Sequence, residues 1–324
     1  MQWGPEYVLP RRRKGSSMRI IFSGSGEFGI PTLAALIETG HKIFPYTQPD
    51  RPAGRGRKMT PTPVAQFADG RGLNAIRTAN LNSENLPEAD LMVVIAFGQK
   101  IATEVANRPR LGSVNLHASL LPKYRGAAPI NWAILNGETE TGNSVIRLAE
   151  RMDAGAVLGQ STVSIGELET AGELHDRLAI NGVGLMSRVI ADLDNGKIEE
   201  VAQDVGQATL APKLARPFTM INWNSSADQI ARKIRGLYPW PGCRVRLLDA
   251  AGDERGRLTL VRARTAGGEG PRWHPGEIAS DGFIACGEKA VEIIEVQPDG
   301  KRPMSLGDFR RGNPWMPGMR LESV

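Results

Sequence analysis

The chain has 324 residues, of which 41% are hydrophobic and 23% charged, and its formal net charge is +5. This length accommodates two domains, and the composition is that of an ordinary soluble protein. Cys243 and Cys286 form no metal-binding or disulfide pattern, and no apolar run is long enough for a membrane helix. We therefore predict a cytoplasmic protein without a disulfide framework.

The charge is distributed unevenly along the chain. Residues 1–17 carry a net +3, residues 18–212 a net −3 and residues 213–324 a net +5. The first segment lacks the apolar core of a signal peptide, so we predict that 1–17 is a disordered extension, with a start codon assigned too early as the alternative; an organellar presequence fits less well because of Glu6 and two prolines. The basic excess of the last segment favours a polyanionic partner such as nucleic acid, although an arginine-rich proteome would produce the same excess.

Strand-like and helix-like patterns alternate from Met18 onward. We predict strands at Ile20–Ser23, Lys42–Thr47, Leu91–Ala96, Ser113–His117, Ser144–Leu148 and Ala156–Val163, and helices at Ile30–Glu38, Ile130–Leu135 and Ala171–Leu193. The continuous apolar run LMVVIA is typical of a strand that a parallel sheet buries on both faces. This order predicts a Rossmann-like α/β domain with a mainly parallel sheet over residues 18–205.

A second domain follows a linker. Residues 206–220 lack periodicity and contain two prolines, so we predict a linker there. A short helix is predicted at Ser226–Arg235. Short strands are predicted at Arg244–Leu248, Leu258–Val261, Glu277–Ala279, Phe283–Cys286 and Val291–Val296. Strands of this length and spacing predict an OB-like β-barrel over residues 221–324.

A glycine-rich turn after the first strand raises one alternative. Gly24–Gly29 reads G-x-G-x-x-G, and Asp50 follows at the distance of a ribose-binding acid, as in a nicotinamide-dependent dehydrogenase. Asp50 lies in the loop QPDRP, beyond the end of a strand, and nothing downstream suits hydride transfer. We therefore favour a structural role for these glycines, which permit a tight strand-to-helix turn.

The stretch VNLHASLLPKYRGAAPI carries the clearest chemical signal. Side chains alternate along a strand, so Asn115 and His117 share one face at its carboxyl end, where open α/β sheets bind ligands. An asparagine amide can donate to an oxyanion, and an imidazole can move a proton near neutral pH. Asp153 follows another strand and could fix the imidazole, or it could simply close a turn with Gly155.

At these residues the sequence resembles the folate-dependent formyltransferases. The resemblance rests on SLLP at Ser119–Pro122, RGAAPI at Arg125–Ile130, TQPDRPAGRGRK at Thr47–Lys58 and YPWP at Tyr238–Pro241. It extends from Met18 to about Leu321. The chain departs from the common family pattern at several positions, including Asn143-Ser144 where valine and threonine are usual.

The resemblance implies roles for individual residues. Asn115, His117 and Asp153 would be catalytic in formyl transfer from 10-formyltetrahydrofolate to the amine of methionyl initiator tRNA. Further residues would line the folate site: Ser119, Leu120, Leu121, Pro122, Phe97 and Gly98. No metal or nucleotide is implied, and a monomer is expected.

Basic residues in two places are candidates for tRNA contact. The loop after Thr47 contributes Arg51, Arg55, Arg57 and Lys58, and the predicted helix of the second domain contributes Arg232, Lys233 and Arg235. A cluster of charged residues is more often a solvated surface loop than a binding site. The resemblance instead implies that the loop orders on the acceptor end of the tRNA.

Two other functions stay open at this point. One is a related formyltransferase that acts on an amino sugar or small amine, which would need neither basic region. The other is an RNA-binding protein without catalysis, which would not need Asn115, His117 and Asp153 together.

Overall fold

The computed structural model describes residues 17–54, 56–266 and 273–324. The predicted extension at 1–17 therefore lies outside the described residues except for Ser17. The described chain groups into two compact units. The first comprises the residues as far as Pro122 together with Gly142–Ser161 and Asp176–Ala208, and the second comprises Lys123–Thr141, Thr162–His175 and the residues from Thr209. The domain limits expected from the sequence remain a prediction.

The regular elements are numbered in chain order. The strands are β1 (Arg19–Gly24), β2 (Lys42–Thr47), β3 (Arg51–Ala53), β4 (Lys58–Thr60), β5 (Ile76–Arg77), β6 (Leu91–Ile95), β7 (Ser113–His117), β8 (Arg125–Gly126), β9 (Glu140–Arg147), β10 (Val157–Ser164), β11 (Leu210–Ala211), β12 (Cys243–Leu248), β13 (Glu254–Ala266), β14 (Ile284–Ala285), β15 (Ala290–Pro298), β16 (Met304–Ser305) and β17 (Arg320–Ser323). The α-helices are α1 (Ile30–Glu38), α2 (Pro63–Gly70), α3 (Thr103–Ala106), α4 (Pro129–Leu135), α5 (Ala171–Asp194), α6 (Ala227–Leu237) and α7 (Leu306–Arg310). No helix among the described residues is long and apolar enough to cross a bilayer.

The larger sheet has the strand order β10-β9-β7-β6-β1-β2-β5. Pairing is parallel from β7 through β6, β1 and β2 to β5, whereas β9 runs antiparallel to β7. Every residue of β6 is buried, as its apolar run predicts, and each such side chain contributes about 1.5–3 kcal/mol by leaving water. The predicted Rossmann-like sheet is confirmed.

The carboxyl ends of four parallel strands meet at one edge of this sheet. β2, β1, β6 and β7 end at Thr47, Gly24, Ile95 and His117. Because these strands are neighbours and run in one direction, the loops that follow them lie side by side. This edge therefore brings together segments that are far apart in sequence.

The basic loop after β2 differs from the prediction. The sequence suggested an irregular segment, but β3 and β4 form an antiparallel hairpin in which Arg51 pairs with Thr60 and Ala53 with Lys58. Gly54 and Gly56 adopt left-handed φ angles of 66° and 86° at its tip. The glycines that suggested irregularity thus supply the turn that a short hairpin requires.

The second unit contains the predicted antiparallel barrel. Its sheet has the order β14-β15-β13-β12-β17, and β16 pairs with β15. Glu277 bridges to Arg320 and Ile278 bridges to Ile284, which links β17 back to β14 and closes the sheet. Residues 277–279, predicted as a strand, form isolated bridges at Glu277 and Ile278 instead of a continuous strand. Inward-facing Val245, Leu260 and Val291 are fully buried.

The predicted linker at 206–220 contains short regular structure. Leu210 and Ala211 form β11, which pairs in parallel with β8 at Arg125 and Gly126. The backbone N–H of Tyr124 also donates to Thr209 Oγ1 at 2.9 Å. These contacts account for the grouping of residues 123–141 with the second unit.

Candidate active site

Asn115 and His117 lie on the same face at the end of β7. The His117 side chain is buried, and Asn115 is half-buried. The side-chain amide of Asn115 makes no hydrogen bond with another described residue, so its two N–H donors are available to a bound group. At one strand end, the amide can donate to the oxygen of a reacting carbonyl, and the imidazole can exchange a proton with a nitrogen bonded to the same carbonyl carbon.

The loop between β9 and β10 carries Asp153 to His117. Asp153 Oδ1 lies 3.7 Å from His117 Nδ1, and the two side chains are 11% and 7% exposed. This separation suits an ion pair when the imidazole is protonated. Asp153 has a left-handed φ of 54°, a strained conformation that is found preferentially at functional sites. The sequence placed both residues at strand ends, and the structure brings them together.

Gln203, a residue not singled out from the sequence, holds this loop in place. Its Nε2 donates to the carbonyl oxygens of both Asp153 and Gly155, each at 2.8 Å. At Gly155 a Cβ would lie 1.9 Å from the Arg147 carbonyl oxygen, so only glycine permits this close approach. Gln203 lies fifty residues along the chain, and no local pattern signals the contact.

The turn at Ser119–Pro122 follows directly from His117. Ser119 and Leu121 are buried, whereas Leu120 and Pro122 are half-buried. A Cβ at Gly142 would lie 2.6 Å from Leu120 Cδ2, which shows how closely Leu120 packs on β9. Polar side chains of β9 and β10 bind the backbone of this turn. The four predicted folate-lining residues of this turn therefore lie beside His117.

The Phe97–Gly98 turn lies at the neighbouring strand end. The Phe97 ring is buried, and its carbonyl oxygen accepts from Gln48 Nε2 at 2.8 Å and from Ser25 Oγ at 3.2 Å. Ala96 and Gly98 have left-handed φ angles of 46° and 76°. Because both lone pairs of the Phe97 carbonyl are occupied, a ligand here would meet other backbone groups of the turn. Gln48 and Ser25 were not singled out from the sequence.

The basic hairpin presents exposed cations in the first unit. Arg51, Arg57 and Lys58 are exposed, and Arg55 lies outside the described residues. Arg51 Nη2 donates to Gln48 Oε1, so Gln48 contacts both the hairpin and the Phe97 carbonyl. The structure thus joins the predicted tRNA loop to the predicted folate turn through one side chain.

The basic residues of α6 already contact protein groups. Lys233 Nζ donates to the Met220 carbonyl at 2.6 Å and lies 4.9 Å from the Phe218 ring centroid. Burial lowers the pKa of Lys233. Arg235 Nη1 donates to the Glu169 carbonyl at 3.0 Å, and the Arg232 guanidinium packs against Gly137. Contact of Arg232, Lys233 and Arg235 with tRNA stays a prediction.

Arginines on the barrel strands are paired with carboxylates. The pairs are Arg244–Asp299, Arg246–Glu322, Arg262–Glu173, Arg262–Glu295 and Arg264–Glu292. Burial raises the pKa of Glu173, but hydrogen bonds from Arg262 and Thr170 outweigh it and lower this pKa to about 2. These carboxylates offset the positive charge of the arginines on the barrel strands.

The glycine-rich turn has a packing role. A Cβ at Gly24 would lie 2.8 Å from Phe22 Cε1 and 2.9 Å from the Ile95 carbonyl oxygen. Asp50, the candidate ribose ligand, lies 3.4 Å from Arg77 Nε. Gly24 therefore has a structural role, which is the close packing of β1 and β6 rather than the tight turn expected from the sequence. Within the described residues, no group of three or more His, Cys, Asp or Glu side chains could hold a metal ion.

Two family models match the chain. The model described as formyl transferase matches residues 18–190, and the model described as formyl transferase, C-terminal domain, matches residues 213–314. The methionyl-tRNA formyltransferase of Methylococcus capsulatus is 42% identical over 302 residues, which cover 90% of this chain and 96% of that protein. That of a Chelativorans species is 40% identical over 314 residues, which cover 94% and 99%. The chain therefore belongs to the formyl transferase family, and within it to the group of methionyl-tRNA formyltransferases.

Solved structures share the fold at low identity. WlaRD, a sugar 3N-formyltransferase solved with dTDP and 5-N-formyl-THF, superposes with a TM-score of 0.63 at 16% identity, covering 89% of this chain and 100% of that one. HypX from Aquifex aeolicus in complex with tetrahydrofolic acid gives a TM-score of 0.61 at 18% identity, covering 92% of this chain and 48% of that one. These likenesses establish the fold, and the resemblance inferred from the sequence is confirmed by the family matches.

Proposed function

We propose that this protein transfers the formyl group of 10-formyltetrahydrofolate to the α-amino group of methionyl initiator tRNA. The observation that carries the proposal is the arrangement at the end of β7, where His117 lies 3.7 Å from Asp153 and Asn115 keeps a free amide. Relatives that match over almost the whole chain are methionyl-tRNA formyltransferases, which supports the same reaction. We also propose that the enzyme is a monomer and is located in the cytoplasm.

The three side chains divide the work of the reaction. The methionyl nitrogen bonds to the formyl carbon, the bond from that carbon to N10 of the donor breaks, and one proton passes from the amine to N10. Asn115 donates a hydrogen bond to the oxygen that becomes negative as the carbon turns tetrahedral. His117 accepts the proton and returns it to the leaving nitrogen, and Asp153 stabilises the imidazolium between these steps.

The two turns beside His117 fit the donor. The turn at Ser119–Pro122 supplies the half-buried apolar side chains of Leu120 and Pro122, which suit a flat heteroaromatic ring. The turn at Phe97–Gly98 lies at the next strand end and supplies backbone polar groups. An apolar wall with a few backbone partners is the usual form of a small-molecule pocket.

Recognition of tRNA is assigned first to the basic hairpin. Its cations, Arg51, Arg57 and Lys58, are exposed and can contact phosphates, whereas the strand arginines of the barrel are paired with carboxylates. Contacts of this type position a nucleic-acid backbone and weaken with salt. An amino-sugar formyltransferase would share the catalytic residues but would need no such hairpin.

The test is a transfer assay with two acceptors. The protein is incubated with 10-formyltetrahydrofolate and charged initiator tRNA, or charged elongator tRNA, and formylmethionine is measured. We expect formylation of the initiator alone, with its loss in His117→Ala and retention in His41→Ala, since His41 precedes the start of β2 and accepts from the Met18 N–H at 3.3 Å, away from the carboxyl end of that strand. Transfer to a small amine but to no tRNA would contradict the assignment and favour the sugar-type enzyme.

A further inference from the structure

Ser144 lies directly opposite His117 in the sheet. The two residues are register partners between β9 and β7, and the Ser144 side chain is fully buried. Its hydroxyl donates to the Ser119 carbonyl at 2.7 Å and accepts from the Leu121 N–H at 3.0 Å. The Ser144 hydroxyl therefore holds the backbone of the turn after His117 at two points, Ser119 and Leu121.

Gln160 on β10 completes the arrangement. Its Nε2 donates to the Leu121 carbonyl at 2.9 Å and to Ser144 Oγ at 2.8 Å. The backbone N–H and C=O of Leu121 are thus both held by side chains from the two neighbouring strands. Ser144 makes one donated and two accepted hydrogen bonds, the full capacity of a hydroxyl, so its orientation is fixed.

We propose that Ser144 and Gln160 are positioning residues for the formyl donor, acting through the Ser119–Leu121 turn. The inference rests on the proposed function, because that turn is assigned to the folate pocket. The turn begins two residues after His117, and side chains of β9 and β10 bind its backbone at Ser119 and Leu121. Loss of the Ser144 hydroxyl would remove one hydrogen bond from the Ser119 carbonyl and one from the Leu121 N–H, both in buried residues.

Removing the Ser144 or Gln160 side chain would displace the formyl donor but would not remove a group that takes part in the chemistry. Neither side chain would touch the reacting atoms, but a shift of about 1 Å in a substrate-positioning segment can lower the rate up to about 100-fold. Ser144 is fully buried, whereas Gln160 is largely exposed, so water can replace part of what Gln160 provides. The effect of removing Ser144 should therefore exceed that of removing Gln160.

The experiment compares four variants in steady-state kinetics and thermal unfolding. Ser144→Ala removes the hydroxyl, Ser144→Thr retains it, and Gln160→Met removes the amide at similar length. Ser161→Ala is the matched control, because its hydroxyl donates to Asn181 Oδ1 on α5 rather than to the backbone of the turn. The readouts are the KM for 10-formyltetrahydrofolate, the KM for charged tRNA, kcat and Tm.

We expect Ser144→Ala to raise the donor KM by about tenfold or more, Gln160→Met by about threefold, and Ser144→Thr to stay near the wild type. The KM for tRNA should not change, and Ser161→Ala should lower Tm without altering the donor KM. Equal kinetic effects in Ser144→Ala and Ser161→Ala would overturn the proposal, as would a matching rise in both KM values.

Direct titration separates this inference from the proposed function. Binding of 5-formyltetrahydrofolate, measured by calorimetry, requires no transfer and no tRNA. If the wild type binds the folate but formylates no tRNA, the proposed function fails, and weaker binding by Ser144→Ala still supports the positioning role. If the wild type binds no folate, both proposals are refuted.

Discussion

Replacing Asp153 with asparagine tests the central electrostatic feature of the site. The substitution keeps the shape of the side chain and removes its charge. At the observed 3.7 Å, a carboxylate stabilises an imidazolium by about 4.5 kcal/mol when the effective dielectric constant is about 20. Because each 1.36 kcal/mol corresponds to a factor of ten, the full loss of this interaction in the transition state lowers the rate about 10³-fold.

Single-turnover formylation measures this effect without a contribution from product release. Enzyme in excess is mixed with charged initiator tRNA at saturating donor, and the first-order rate of formylmethionine formation is followed by quench-flow. We expect Asp153→Asn to be slower by about 10²–10³, with a donor KM close to that of the wild type, because the carboxylate acts on the histidine rather than on binding.

A matched charge change provides the control. Asp204 is exposed in the same unit and its carboxylate accepts from the Gly206 N–H, so Asp204→Asn alters the net charge equally without contact with His117. The control should retain the wild-type rate. A rate for Asp153→Asn within threefold of the wild type would refute the view that this carboxylate stabilises an imidazolium.

Three further results are expected. Asn115→Ala should lower kcat by about 10²–10³ with little change in either KM, since its free amide is assigned to the developing oxyanion; a rise in KM alone would argue against that role. Replacing Arg57 and Lys58 with alanine should weaken charged tRNA binding and reduce the slope of log Kd against log salt by about two, while the donor KM stays constant; an unchanged slope would remove the hairpin from the interface. Glu173 has a folded pKa of about 2 against 4.5 when free, so its pair with Arg262 stabilises the fold above pH 4.5 and loses this contribution as the pH falls toward 2. Because the carboxylate is half exposed, Glu173→Gln should cost only about 1 kcal/mol at pH 7, and a Tm difference that persists at pH 2 would contradict this account.

The sequence predicted the main elements of both units well. α1, β2 and β7 occupy the predicted residues without change, since each combines an apolar pattern with clear ends such as Pro31 and Gly40. The parallel order also placed the end of β7, with Asn115 and His117, at the carboxyl edge of the sheet. The residue types of Asn115 and His117 at a strand end then sufficed to indicate carbonyl chemistry.

Other features depend on contacts that no local pattern encodes. Gln203 reaches the Asp153 loop from fifty residues away, and Gln48 reaches Phe97 across forty-nine. The hairpin at Arg51–Thr60 was missed because its strands are only three residues long and their glycines read as irregular. Polar residues that support a site from a neighbouring strand give no signal in sequence spacing. The sequence therefore indicates the residues that carry the chemistry but not the residues that hold them in place.

The closure of the barrel has a consequence for the rate at which the chain folds. β12 pairs with β17, and Val245 lies opposite Ser323, although nearly the whole barrel sequence separates them. Such a pairing forms only after a long loop has been closed, and the chain loses conformational entropy in that closure before the strand contacts stabilise it. The strand pairs that are close in sequence can form early, whereas the seam between β12, β17 and the 277–278 bridges should form last. In a stopped-flow refolding experiment, weakening this seam should therefore accelerate unfolding while leaving the folding rate nearly unchanged.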